Sequence, residues 1–323
     1  MYNLAVQYET IQDMTLILAT AGVVALLFKG LRLPLVFGYI LAGYIVGPHF
    51  PYFMTVIDVA SVNVWSEIGI VFLMFGLGLE FSFKRLRAVG IESLFGGTIE
   101  VFVVASIGFV LIWMMGKGLF VSLIFAGCLA ISSTSMIIRT VNDLSLQHRH
   151  FVSRIYGLLV LEDLVAILFL TMLPLLAAGR GGFGSEVLFK GLWLLAIVWI
   201  WYVLGKVIAP MLLRLCDRYF TDESLLIVGV AVCLVFAVLL HRLGFSSALG
   251  AFLMGSVFAE IGIGKRFARL FWALKVFFSG VFFVTVGMMF DPTALLEQGI
   301  FILMLAFAVV LGKVFAVFWG VFF

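Results

Sequence analysis

Apolar residues run along this chain in long blocks, and polar and charged residues gather between them. Eleven blocks stand out, at 13–29, 33–50, 65–83, 90–115, 118–141, 151–178, 187–213, 224–240, 244–260, 268–290 and 299–323. A helix rises 1.5 Å per residue, so crossing the hydrocarbon of a bilayer takes about 20 residues. Most of the blocks have that length, and they are apolar around the whole helix rather than along one stripe. Such helices are solvated by lipid or by each other. The connections are short, and no low-complexity tract or separate soluble segment interrupts them. The pattern predicts an all-α integral membrane protein with eleven spans in this chain.

Composition supports the same solvent. Of 323 residues 64% are apolar and 11% charged, against about 25% charged in soluble domains. A net charge of +3 carries no electrostatic footprint for nucleic acid. The placement of the basic residues says more. With the N-terminus outside, thirteen Lys and Arg between Lys29 and Arg269 fall in the inner loops, and four (Lys117, Arg180, Lys190, Arg242) in the outer ones. Inner loops carry the basic excess in membrane proteins, so the N-terminus is expected outside. The chain has no Lys or Arg before Lys29, so the first block reads as a retained span rather than a cleaved signal peptide. Cys128, Cys216 and Cys233 are isolated in apolar surroundings and read as small core residues. An odd number of spans, with a last block running to Phe323, points to a fragment of a longer protein.

Ionisable groups inside spans are costly and usually functional. Glu162 and Asp163 lie well inside the sixth block, in YGLLVLEDLVAILFLTMLP. Adjacent helical residues point about 100° apart, so both can border one cavity. Two carboxylates in a low dielectric resist ionising together, so one of them can hold a proton and yield it to a cation. The fifth block contains Ser132-Ser133-Thr134-Ser135. Such a run either bonds back to the carbonyls of an intact helix or marks an unwound segment lining a cavity. Lys313 lies near the middle of the last block. It can pair with Glu162 or Asp163, compete with a bound cation, or carry a proton itself.

Other charges read as structural. Glu80 closes the third block beside Lys84 and Arg85 and is expected to make a helix-end ion pair with them. Glu67, Glu92, Glu100 and Glu260 are placed near span ends, and Lys275 at the start of a block, snorkelling to the interface. His49, His148, His150 and His241 sit at loops or block ends, which argues against an intramembrane enzyme and against a metal centre.

Several segments together resemble one family. LRLPLVFGYILAGYIVGPH looks like the opening of the Kef-like cation:proton antiporters, the monovalent cation:proton antiporter-2 family of the sodium/hydrogen exchanger superfamily. IGIVFLMFGLGLEFSFKRLR resembles their third span, ISSTSMIIR their broken fifth helix, and LLVLEDLVAI their ion-site helix. SSALGAFLMGSVFAE, FFSGVFFVTVGMMFDP and LGKVFAVFWG resemble their ninth, tenth and eleventh spans. The resemblance runs from about residue 12 to the end, with its motifs in the family's order.

The resemblance implies a sodium/proton antiporter-type fold of thirteen spans, N-terminus out and C-terminus in. It implies two inverted six-helix repeats: 1–178 as the first, 187–213 as a linker helix and 224–323 as an incomplete second. Asp163 is then the cation and proton carboxylate, with Glu162 beside it. Ser133 and Thr134 line the site, and Lys313 is the buried basic residue. The implied activity is secondary antiport of K+ or Na+ against H+ by alternating access, in a cell (inner or plasma) membrane. No cofactor is implied, and no metal beyond the transported ion. A homodimer is implied, and a cytoplasmic nucleotide-sensing domain or subunit outside this chain. The residue before the aspartate departs from the family, where Gln, Asp or Asn is usual. Glu162 therefore leaves ion choice and stoichiometry open. A gated, channel-like potassium efflux protein and a non-transporting sensor are the alternatives.

Overall fold

The computed structural model describes residues 2–50, 52, 53, 55, 56, 59–81, 91–178, 193, 196, 221–260 and 264–322. These residues form eleven helices, and no strand occurs among them. In chain order they are α1 (Tyr2–Gly30), α2 (Leu35–Val46), α3 (Val59–Glu80), α4 (Ile91–Met114), α5 (Leu119–Ala130), α6 (Thr134–Asp143), α7 (His150–Ala178), α8 (Asp222–Arg242), α9 (Ser247–Glu260), α10 (Gly264–Met288) and α11 (Thr293–Phe322). The apolar blocks recur as these helices, except that the fifth is divided into α5 and α6. The block at 187–213 lies outside the described residues. Among the described residues, six helices (α1, α3, α4, α8, α10 and α11) are long and apolar enough to cross a bilayer.

Local chemistry sets the ends of these helices. Between α1 and α2 the chain reverses through Arg32 at φ 58°, and Pro34 in extended geometry leads into α2. Thr221 caps α8 by accepting the Ser224 N–H at 3.3 Å. Asp222 and Glu223 in the first turn of α8, with His241 and Arg242 in the last, complement its dipole. Gly244 at φ 85° ends α8 in a left-handed turn that suits glycine. In the loop before α11, Asp291 accepts the Thr293 hydroxyl at 2.7 Å and the Thr293 N–H at 2.9 Å. These two bonds hold the Asp291 carboxyl below the usual carboxylate range.

The helices group into two compact units. Unit 1 comprises residues 1–81 and 201–297, and unit 2 comprises 82–200 and 298–323. In unit 1, α3 packs against α9 and α10, α2 against α10 and α1, and α8 against α9. One apolar cluster is built on Phe75, fully buried, with Phe267, Phe271 and Phe258 around it. Ring centroids lie 5.0–5.7 Å from Phe75 in edge-on contacts, the favoured aromatic geometry. A second cluster joins Ile17, Ala42, Val46, Val62 and Val284.

Two seams in unit 1 bring main chain against main chain. A Cβ on Gly78 of α3 would overlap the Phe252 carbonyl and come within 2.9 Å of the Gly255 Cα on α9. Likewise, a Cβ on Gly43 of α2 would overlap the Val284 carbonyl and come within 2.9 Å of the Gly287 Cα on α10. Small residues permit this approach where lipid supplies no hydrophobic drive between helices.

Two charge assignments change. Lys275 does not open a helix; α10 begins at Gly264, which places Lys275 mid-helix. Its ammonium pairs with Glu80 at 2.7 Å, its stem lying across Gly76. Glu80 is therefore paired with a residue 195 positions away in sequence; the partners expected for it, Lys84 and Arg85, lie outside the described residues. Of the cysteines read as core, Cys233 is buried and Cys128 is exposed.

Candidate ion site in unit 2

The site begins with the interruption between α5 and α6. Ile131 (φ −91°, ψ 131°) and Ser133 (φ −82°, ψ 99°) are both extended, so the helical ladder stops at Ala130 and resumes at Thr134. In an unbroken helix the Ala130 carbonyl would accept from residue 134, and the Ser132 N–H would donate to residue 128. Side chains take over both groups. Lys313 of α11 donates to the Ala130 carbonyl at 2.8 Å. The Ser132 N–H donates to Glu162 Oε2 of α7. The freed backbone groups are thereby satisfied away from water, as hydrocarbon surroundings require. The charges also suit the helix ends: an ammonium sits at the negative C-terminus of α5, and carboxylates stand near the positive N-terminus of α6.

Glu162 and Asp163 diverge as adjacent helical residues must. Glu162, 1% exposed, turns to Ser132, whose hydroxyl donates to Oε1 at 3.1 Å. Asp163, half-buried, turns to the first residue of α6: the Thr134 hydroxyl lies 3.1 Å from Oδ1 and 3.3 Å from Oδ2. Lys313 donates to the Ser132 hydroxyl at 2.6 Å and lies 3.4 Å from Glu162 Oε1. Four of the residues expected at the site, Glu162, Asp163, Thr134 and Lys313, therefore converge. Ser133 does not join them through its side chain. It is exposed, and its backbone carbonyl accepts from Met136 and Ile137 as α6 starts. Ser132 is the serine that bonds the carboxylate.

The site holds one residue that sequence reasoning set aside. Glu100 does not lie near a span end; it sits inside α4, fully buried. Its Oε1 accepts from Lys313 at 2.7 Å, while its Oε2 has no hydrogen-bond partner among the described residues. Glycines bring the helices this close. A Cβ on Gly97, one turn before Glu100, would press on Leu161 of α7 at 2.7 Å, and one on Gly312, beside Lys313, would press on Ile107 of α4 at 2.6 Å.

The arrangement has a definite chemical capacity. It combines three carboxylates with one ammonium, so full ionisation leaves excess negative charge in a low dielectric. Either a proton or a monovalent cation relieves that excess. Carboxylate, hydroxyl and freed carbonyl oxygens are the ligands such cations take.

An interrupted helix whose loose backbone groups meet an acid and a base from neighbouring helices defines a class: ion-coupled membrane transporters built around a broken span. The chain belongs to the sodium/hydrogen exchanger family, a family of transporters, whose transmembrane profile matches residues 15–323. It is 31% identical over 311 residues to YbaL of Escherichia coli K12, a protein named for cation/proton antiport; the match covers 93% of this chain and 55% of YbaL. It is 28% identical over 293 residues to the K(+)/H(+) antiporter subunit KhtU of Bacillus subtilis, covering 87% of this chain and 70% of KhtU. The chain thus spans about half the length of YbaL and more of KhtU. The fold resembles that of the sodium proton antiporter MjNhaP1 from Methanocaldococcus jannaschii, with a TM-score of 0.68 at 19% identity. That likeness covers 96% of this chain and 78% of the other.

Proposed function

We infer that the protein is a secondary active antiporter exchanging a monovalent cation, K+ or Na+, for H+ by alternating access, and not an enzyme. The observation carrying this reading is the placement of Glu162 and Asp163 at the interruption between α5 and α6. Asp163 is the acid that alternates between a proton and the cation. Thr134 orients it, and Glu162 supplies a second carboxylate already engaged by Ser132. No cofactor is needed for such an exchange. The relatives named for cation/proton and K+/H+ antiport support this reading.

The reading extends to topology and assembly. The basic bias of alternate loops supports an N-terminus outside, in an inner or plasma membrane. The two inverted repeats and the homodimer follow from the family resemblance, as does a nucleotide-sensing domain or subunit beyond this chain.

The test is a pH-gradient assay on the full-length protein in proteoliposomes, with K+ and Na+ added separately. Antiport predicts proton movement opposite to the added cation. Cation flux without proton counterflow would point to a channel-like efflux path, and neither flux to a sensor.

A further inference from the structure

We propose that Glu100 is a positioning residue of the ion site: it takes the short bond of the Lys313 ammonium and so keeps the Lys313–Glu162 pair long and weak, which eases the approach of the cation. This rests on the antiport reading above and deepens it.

The bonds of Lys313 carry the argument. An ammonium has three N–H donors. Lys313 has three short contacts: the Ser132 hydroxyl at 2.6 Å, Glu100 Oε1 at 2.7 Å and the Ala130 carbonyl at 2.8 Å. Glu162 Oε1, at 3.4 Å, is the longest of its four polar contacts. Glu162 thus keeps a long bond from Lys313 and receives the rest of its hydrogen bonds from Ser132. Lys313 is therefore neutralised from the α4 side, although a second acid stands on the α7 side.

Burial strengthens the point. Glu100 is 0% exposed and one of its oxygens lacks a partner. A fully buried acid with an unsatisfied oxygen is expensive to keep, and among the described residues it is ion-paired with Lys313. Packing against that ammonium is thus what its position accomplishes. Helix-to-helix approach at Gly97 and Gly312 brings the pair within bonding distance.

The consequence concerns cation binding. An ammonium drawn into short contact with Glu162 would tie up the second carboxylate of the site and would repel a cation at Asp163 as well. When Glu100 loses its charge, its bond to Lys313 weakens to an ordinary neutral acceptor's, and Glu162 is the nearest remaining acid to balance the ammonium. The cation must then displace the lysine.

The experiment measures cation binding directly, so it does not depend on transport. Purified full-length protein is titrated with KCl and, separately, NaCl, and thermal stabilisation gives the half-saturating concentration. E100Q should raise that concentration by about tenfold, as one pKa unit's worth of lost interaction does. In proteoliposomes the apparent KM should rise to match, with the maximal rate nearly unchanged. E100D, which keeps the charge, should stay near wild type. In a K313Q background the E100Q change should have almost no effect, because Glu100 acts through the lysine. An equal loss of affinity with and without Lys313 would overturn the proposal, as would a fall in maximal rate at constant KM. If E100Q cannot be purified, E100Q/K313Q against K313Q decides: a matching affinity supports the proposal and a further loss sinks it. Wild-type protein that binds cation but moves no protons would refute antiport and leave the binding comparison readable.

Discussion

Ser132 engages both oxygens of Glu162, one with its backbone N–H and the other with its hydroxyl. A residue inside a regular helix could not do this, because its N–H would be committed four residues back. The break thus converts a backbone donor into a ligand for a buried acid. The same hydroxyl accepts from Lys313, so Ser132 links acid and base without bringing them into short contact.

Asp163→Asn should abolish cation-dependent proton flux while leaving expression and thermal stability near wild type. The amide keeps the shape and can still accept from Thr134, but it cannot release a proton to make room for a cation. Flux approaching the wild-type rate in this variant would remove Asp163 from its assigned role.

Lys313→Ala should destabilise the protein by about 3–5 kcal/mol, because removing one partner strands buried charge. Glu162→Gln in that background should restore part of the loss, since one stranded acid is neutralised. The recovery should be incomplete, because Glu100 remains buried beside the gap. A double-mutant cycle on melting temperature checks this; strictly additive effects would mean that the two residues do not communicate.

Thr134→Val should weaken cation binding by about tenfold, and Thr134→Ser should stay within about twofold, because hydrogen bonds to charged groups contribute about 1.5–3 kcal/mol. The Thr134 hydroxyl bonds Asp163, so valine tests oxygen loss at nearly constant shape. Similar binding by all three proteins would show that the contact does not orient the acid for the ion.

Gly43→Ala or Gly287→Ala should cost about 3 kcal/mol, at the upper end for overpacking. The methyl group would meet carbonyl groups of Val284 or Ile40, which cannot rotate aside. Gly22→Ala in α1 is the control: nothing lies within 4 Å of its Cβ position, so it should be neutral or mildly stabilising. Comparative melting of the three variants distinguishes a tight seam from a general intolerance of substitution.

The spans were legible because lipid-facing helices must be apolar along their whole length, and the pattern at 90–115 or 224–240 admits little else. Glu162, Asp163 and Lys313 were legible for the complementary reason: charge in such a run has no solvent. The hydroxyl run 132–135 marked the break but not which serine would use it. Ser132 and Ser133 are alike in sequence, and only the extended backbone around them turns one to Glu162 and the other outward. Grouping Glu100 with the span-end acids ran against the bounds of its own block, 90–115. Counted from Ile91 it lies nine residues, or about 14 Å, into its helix, a depth that would have marked it out. The Lys275–Glu80 pair had no local signal at all, since its members come from helices far apart in the chain.

At the seam where Gly78 meets Gly255, unit 1 has no cushion. Side chains between helices ordinarily act as bearings: they change rotamer and let one helix slide a little past its neighbour. Bare backbones cannot yield in that way, and parting them would open a void along both helices. The glycine contacts therefore act as fixed points on the seams α3–α9 and α2–α10, with yielding side chains to either side of them. Helices joined in this way can pivot about the glycine contact but cannot slide across it.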